Sequence, residues 1–168
     1  DWADARSGGF MFVFRPGTFE AAPKTYIAAA RAPTDPTARA LFQRRLRHLV
    51  ARWGSAPNLL AWELWNEVDL VGEGDAVTLW HAEMADTLRA LDPYDHLIST
   101  SLARSTTNPL WNLAQIDFTQ IHHYQFPLSI DMPTVLHSRL RVYANAYPDK
   151  PRLVSEYGVD YRGPAETL

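Results

Sequence analysis

The sequence predicts an α/β fold in which parallel strands alternate with helices. Short apolar runs alternate with longer segments of helical period. The run Leu59 to Trp65 is nearly continuous, as for a strand buried on both faces. Polar residues gather where the apolar runs end. That order implies parallel pairing through right-handed crossovers. No internal repeat, low-complexity tract or linker divides the 168 residues, so they read as one domain with its own core.

The elements follow in order. Residues 1–34 are mostly loop, although Gly8-Gly9 precedes Phe10-Met11-Phe12-Val13-Phe14, which reads as either a strand or more loop, and Arg15-Pro16-Gly17 reads as a turn. Asp35 caps a helix with Pro36 in its first turn. Leu41, Phe42, Leu46, Leu49, Val50 and Trp53 recur along it at helical spacing, and Gly54 ends it. After a short loop comes the strand from Leu59 to Trp65. A helix from Asp75 to Leu91 places Leu79, Met84, Leu88 and Leu91 inward, and Asp92-Pro93-Tyr94-Asp95 breaks it. His96 to Thr100 is a strand, Pro109 to Ala114 a short helix, and Phe118 to Tyr124 a strand with a polar end. Asp131 and Pro133 open a helix carrying Val135, Leu136, Leu140, Val142 and Tyr143, closed by Pro148. Arg152 to Ser155 is the last strand.

Composition narrows the function classes. Hydrophobic residues make up 46% and charged residues 21%, as in an ordinary globular domain. A net charge of -3 argues against nucleic acid or an anionic membrane as the main partner. Arg44-Arg45-Leu46-Arg47-His48 lies on a helical pattern and reads as a solvated face. With no cysteine, disulfides, thiolate zinc sites and cysteine nucleophiles are excluded. No apolar run reaches the length of a membrane span. The chain starts at Asp1 rather than Met, so a processed or excised piece is expected.

In parallel α/β folds, ligands bind at the carboxyl ends of the strands. Here those ends carry Asn66-Glu67, Ser99-Thr100-Ser101, His122-His123-Tyr124 and Glu156-Tyr157. Two strand-end acids, Glu67 and Glu156, can flank one bond, which is what glycoside hydrolysis requires. Trp62 and Trp65 would screen Glu67 from water, and burial keeps a carboxyl protonated so that it can serve a leaving oxygen. Tyr157, or Tyr124 from the adjacent strand, would hydrogen-bond Glu156 and keep it ionised. His122 shares the strand end with Tyr124. A His122–His123 metal site is disfavoured because adjacent strand residues point to opposite faces. Trp53 and Trp80 are assigned to packing or surface. Trp2 and Trp111 are open between the core and stacking on sugar rings.

On these residues the chain resembles a clan A glycoside hydrolase, most of all the cellulase-like enzymes of family 5. The resemblance rests on Trp65-Asn66-Glu67, the His-x-Tyr element His122-His123-Tyr124, the strand-end Glu156, and the stretch from Arg44 to Glu67 with its Arg-Trp-Gly turn. It covers about residues 35–160. It implies a (β/α)8 TIM barrel that hydrolyses β-glycosidic bonds of a poly- or oligosaccharide with retention. By that likeness Glu67 is the acid/base and Glu156 the nucleophile. Asn66 would bind the sugar 2-hydroxyl, Tyr124 would position Glu156, and His122 and Trp65 would contact the sugar. No cofactor or metal is expected. A carbohydrate is the expected partner, and a secreted or extracytoplasmic location is favoured.

Two departures stand beside the resemblance. Val68-Asp69 follows the Asn-Glu pair, where family members often carry Pro. Strands four to seven of the barrel find candidates, with Phe10 to Phe14 as a possible piece of the third, while a full barrel takes about 250 residues. The chain is therefore expected to be part of a catalytic domain. A catalytically inactive sugar-binding relative is one alternative. A doubly wound nucleotide or phosphate binder is another, but Gly72-Glu73-Gly74 lacks the glycine pattern it needs.

Overall fold

The computed structural model describes residues 10–13, 33–70, 72, 74–104, 107–125 and 131–159. Trp2 and the turn expected at Arg15-Pro16-Gly17 lie outside them. Strand β1 (Phe10–Val13) pairs in parallel with β2 (Leu59–Glu63), and β2 with β3 (Leu97–Ser99). Strand β4 (Thr119–Gln125) pairs in parallel with β5 (Arg152–Val159). Phe10–Val13 thus forms a strand rather than loop. Between β3 and β4 there is no ladder. That seam is closed by Asp117 N donating to Ile98 O (2.8 Å), Ser99 Oγ donating to Phe118 O (2.8 Å) and Gln120 Nε2 donating to Thr100 O (3.1 Å).

Helix α1 (Pro36–Trp53) starts where its cap places it. The Asp35 carboxylate accepts from Thr37 N (2.8 Å) and Ala38 N (3.2 Å), a contribution of about 1 kcal/mol. Helix α2 (Asp75–Leu91) buries Val77, Trp80, His81, Met84, Ala85 and Leu88. Leu79, expected inward, is 67% exposed. One residue before Trp80, it sits about 100° around the helix from that stripe. Helix α3 (Met132–Ala146) is capped by Asp131, which accepts from Thr134 N (3.1 Å). Val142 on α3 and Leu41 on α1 also face solvent. The expected short helix at Pro109 is a 3-10 turn, Pro109–Asn112.

The core joins α1 and α2 to the back of the strands. Leu46, Trp62, Leu64, Trp80, Met84, Leu88, Ile98 and Trp111 are almost wholly buried. Phe42 meets Trp80 edge-on at 4.8 Å between ring centroids. Trp111 and Trp80 are therefore both core residues. Emptying one such site to alanine costs about 3–5 kcal/mol. Trp62 Nε1 donates to Asp92 Oδ2 (2.8 Å), the residue that ends α2. Burial alone would push the Asp92 carboxyl up. Hydrogen bonds from Trp62, His96 and Tyr94 outweigh it and hold the group below its ordinary value.

Two strand ends differ from expectation, and both bear on the site. Strand β2 was expected to reach Trp65 but leaves the ladder after Glu63. The chain stays tied to the segment after β3 through Leu64 N to Ser99 O (2.9 Å), Ser101 N to Trp65 O (3.0 Å) and Val68 N to Ser101 O (3.1 Å). It then turns at Glu67, whose φ is 54°, into a 3-10 turn at Val68–Leu70. Strand β5 was expected to stop at Ser155 but runs to Val159, because β4 keeps pairing as far as Gln125. Glu156 therefore lies within a strand, just past a register shift at Ile121/His122.

Candidate active site

The turn after β2 is fixed from three directions. Glu67 N donates to Ser101 Oγ (2.9 Å), and Ser101 Oγ donates to Asn66 Oδ1 (3.4 Å). Thr100 Oγ1 donates to Trp65 O (2.8 Å) and also meets His81 Nε2 (3.0 Å), while His81 Nδ1 meets Val77 O (2.8 Å). Complete burial pushes His81 down to about 4, so it is a neutral brace between α2 and the turn, with Nδ1–H donating to Val77. Asp69, in the Val68-Asp69 pair that follows Asn66-Glu67, accepts from Ala103 N (2.7 Å) and Arg104 N (2.8 Å). It locks this loop to the one after β3. A left-handed glutamate is costly and persists only where its surroundings over-determine it. These bonds do that.

The β4–β5 ladder supplies the opposing side. His122 pairs with Glu156 and Tyr124 with Gly158. His122 and Tyr124 share a face because strand side chains alternate. A Cβ on Gly158 would stand 3.4 Å from the Tyr124 ring, so the ring lies against that bare backbone. Tyr124 Oη donates to Glu156 Oε2 (3.1 Å). Tyr157, the alternative partner, is 62% exposed. Burial first, and then the Glu156 charge, push the Tyr124 phenol up. His123 turns to the other face and meets Gln125 Oε1 (3.3 Å), so the two histidines do not act together.

The acids meet at His122. Its Nδ1 lies 3.0 Å from Glu67 Oε1 and 3.5 Å from Glu156 Oε2. One atom from each of these three side chains lies within 4.8 Å of the others. The His122 side chain is 2% exposed, Glu67 24% and Glu156 35%, so the ring is a floor and the carboxylates face outward. Among the described residues this is the cluster compact enough to grip a cation. Glu67, His122, Tyr124 and Glu156 are thus brought together, and Asn66, next to Glu67 in the chain, is held by Ser101. Trp65 does not join them, since it is 4% exposed and packs on Trp80 at 5.3 Å. Trp62 reaches Asp92 instead of Glu67.

The deeply buried acid is Glu63, which sequence reasoning passed over. It was read as part of an apolar run, and its charge within that run was the available signal. It is fully buried at the end of β2. Among the described residues neither carboxyl oxygen has a hydrogen-bond partner. Burial raises it from 4.5 to about 7, with Ser101 and His122 pulling less strongly the other way and Glu156 adding to the rise.

No family model and no curated protein matches the chain. Solved structures do. A Bifidobacterium dentium β-glucuronidase complexed with coumarin-3-O-glucuronide aligns with TM-score 0.64 and 19% identity, over 91% of this chain and 28% of its own. A Faecalibacterium prausnitzii β-glucuronidase gives 0.60 and 23%, over 73% and 21%. A family 2 (GH2) β-galacturonidase from Eisenbergiella tayi, bound to galacturonate, gives 0.61 and 18%, over 74% and 22%. The chain spans 21–28% of the length of these structures. At these identities the likeness is one of fold: the chain folds like part of these structures. The neighbours named here are glucuronidases and galacturonidases, with family 2 named for the latter, and do not support the cellulase-like family 5 expected from the motifs.

Proposed function

We propose that this chain carries the two catalytic acids of a retaining β-glycoside hydrolase, on part of a (β/α)8 barrel. The observation that carries the reading is the approach of Glu67 and Glu156 oxygens to within 4.8 Å. Retaining enzymes hold their carboxyl groups about 5–5.5 Å apart, and inverting enzymes leave about 6.5–9.5 Å for a water.

In this reading Glu156 attacks the anomeric carbon while Glu67 gives its proton to the departing oxygen. The bond from carbon to leaving oxygen breaks as the glycosyl–Glu156 ester forms. Glu67, now ionised, takes a proton from water. The water oxygen displaces Glu156, and a sugar of the original configuration leaves. Tyr124 holds the Glu156 oxygen it bonds. His122 fixes the spacing of the acids and offers a donor to the sugar. Asn66, tethered by Ser101, faces the 2-hydroxyl.

The names of the neighbours make aryl β-glucuronides and β-galacturonides the first substrates to offer, with neutral β-glycosides alongside. Following the anomer of the first product by NMR tests the mechanism. Retention is expected. An inverted first product would rule out the double displacement, and no turnover on any β-glycoside would remove the reading.

A further inference from the structure

Hydrogen accounting beneath the acid pair leaves one proton missing. Gln120 donates one Nε2 hydrogen to Thr100 O (3.1 Å), and its Oε1 can only accept. That Oε1 is buried and has no donor among the described residues. Glu63 stands beside the Gln120 amide and Ser101, whose hydrogens favour its charged form less than burial opposes it, and neither of its oxygens has a hydrogen-bond partner at normal distance among the described residues. An ionised Glu63 would add two further acceptors to an orphan acceptor. Unpaired buried polar atoms of this kind cost about 1–3 kcal/mol each. A hydrogen on Glu63 gives Gln120 Oε1 its donor.

Ser101 makes the same point. It owns one hydroxyl hydrogen, which goes to Asn66 Oδ1, while its oxygen accepts from Glu67 N. A charged Glu63 would draw that hydrogen away. Among the described residues, the titratable groups facing Glu63 are His122 on β4 and Glu156 on β5. An ionised Glu156 opposes a second negative charge there.

We propose that Glu63 is a third carboxyl of the site, kept as the neutral acid, which positions Gln120 and leaves the Ser101 hydroxyl to the Asn66–Glu67 turn. It is a positioning residue, acting through Gln120 and Ser101 from a place no substrate reaches. The positioning role rests on the glycosidase reading above; the protonation does not. Burial pushes the carboxyl to about 7, in keeping with a neutral acid under mildly acidic conditions.

Infrared spectra of the intact protein and of Glu63→Gln, taken at about pH 6, test the protonation. The parent is expected to show the carbonyl stretch of a protonated carboxylic acid that the variant lacks. Identical spectra overturn the proposal. Turnover tests the role. Glu63→Ala is expected to lose at least about tenfold in kcat with a smaller change in KM, and Glu63→Gln, uncharged and able to donate an amide hydrogen to Gln120, to recover most of that loss. If Glu63→Ala does not fold, Glu63→Met fills the space without a donor and takes its place. A Glu63→Gln rate as low as that of the donor-less variant overturns the positioning role. A parent protein that hydrolyses no β-glycoside overturns the proposed function, while the infrared comparison still decides the state of Glu63.

Discussion

Substituting Glu63 by Gln should change how stability depends on pH, and the change follows from two buried groups that oppose each other. Glu63 is an acid raised from 4.5 to about 7, so the native state binds its proton more tightly than the unfolded chain does. Its stabilisation is complete below about 4.5 and is lost as pH rises through about 7. His81 is a base lowered from 6.5 to about 4. Its unfolded form binds the proton more tightly, so stability is lost as pH falls from 6.5 towards 4. Each pH unit of displacement corresponds to about 1.4 kcal/mol, which makes each effect about 3 kcal/mol. The slopes run in opposite directions over nearly the same window, so from these two groups the parent is nearly flat between about pH 4 and 7. Glu63→Gln removes one slope and exposes the other. Urea unfolding across that range should show the variant gaining about 3 kcal/mol from acid to neutral, relative to the parent. A uniform offset between two parallel curves would refute the reasoning, because it would mean that Glu63 takes up no proton on folding.

Three further outcomes are expected. Glu156→Ala should lower kcat at least about a thousandfold, and azide should restore part of it with a glycosyl azide of the opposite anomer; a variant as active as the parent would exclude Glu156 as nucleophile. Glu67→Ala should spare aryl glycosides with very good leaving groups far more than those with poor ones, measured as kcat/KM across a leaving-group series; equal losses throughout would remove its role as acid. Trp62→Phe removes part of a fully buried ring as well as one donor to the buried Asp92, and should cost at least about 1.5–3 kcal/mol by urea unfolding; a cost near zero would show that the bond carries no weight.

Local chemistry was readable wherever it acts alone. Asp35 and Asp131 start their helices as capping predicts, and the bounds of α2 match the hydrophobic period at both ends. Asn66, Glu67, His122, Tyr124 and Glu156 stand out at strand ends, and the structure brings all but Asn66 into one cluster, with Asn66 held beside it by Ser101. What escaped depends on partners distant in sequence. Strand β2 stops short because Glu67 turns into the left-handed region, held there by Ser101, Thr100 and Asp69. Strand β5 runs long because β4 offers ladder positions up to Gln125. Leu79 is apolar but lies off the stripe formed by Val77, Trp80, Met84 and Leu88, which is the face that goes inward. Trp62 and Trp65 looked like walls of the site because they adjoin Glu67 in sequence, but the core claims both. Glu63 was hidden by the tryptophan and leucines around it.

The seam between β3 and β4 gives the acid pair an unusual kind of adjustability. His122 and Glu156 are geared together by a backbone ladder, which no side-chain substitution can unmesh. Glu67 belongs to the other sheet, and its spacing from them is transmitted through Ser99 and Gln120, two side chains that span the join. The distance between the Glu67 and Glu156 carboxyl groups is therefore set in part by side chains that lie outside their cluster. Exchanging one polar side chain for another along the seam would shift that distance while both acids stay in place.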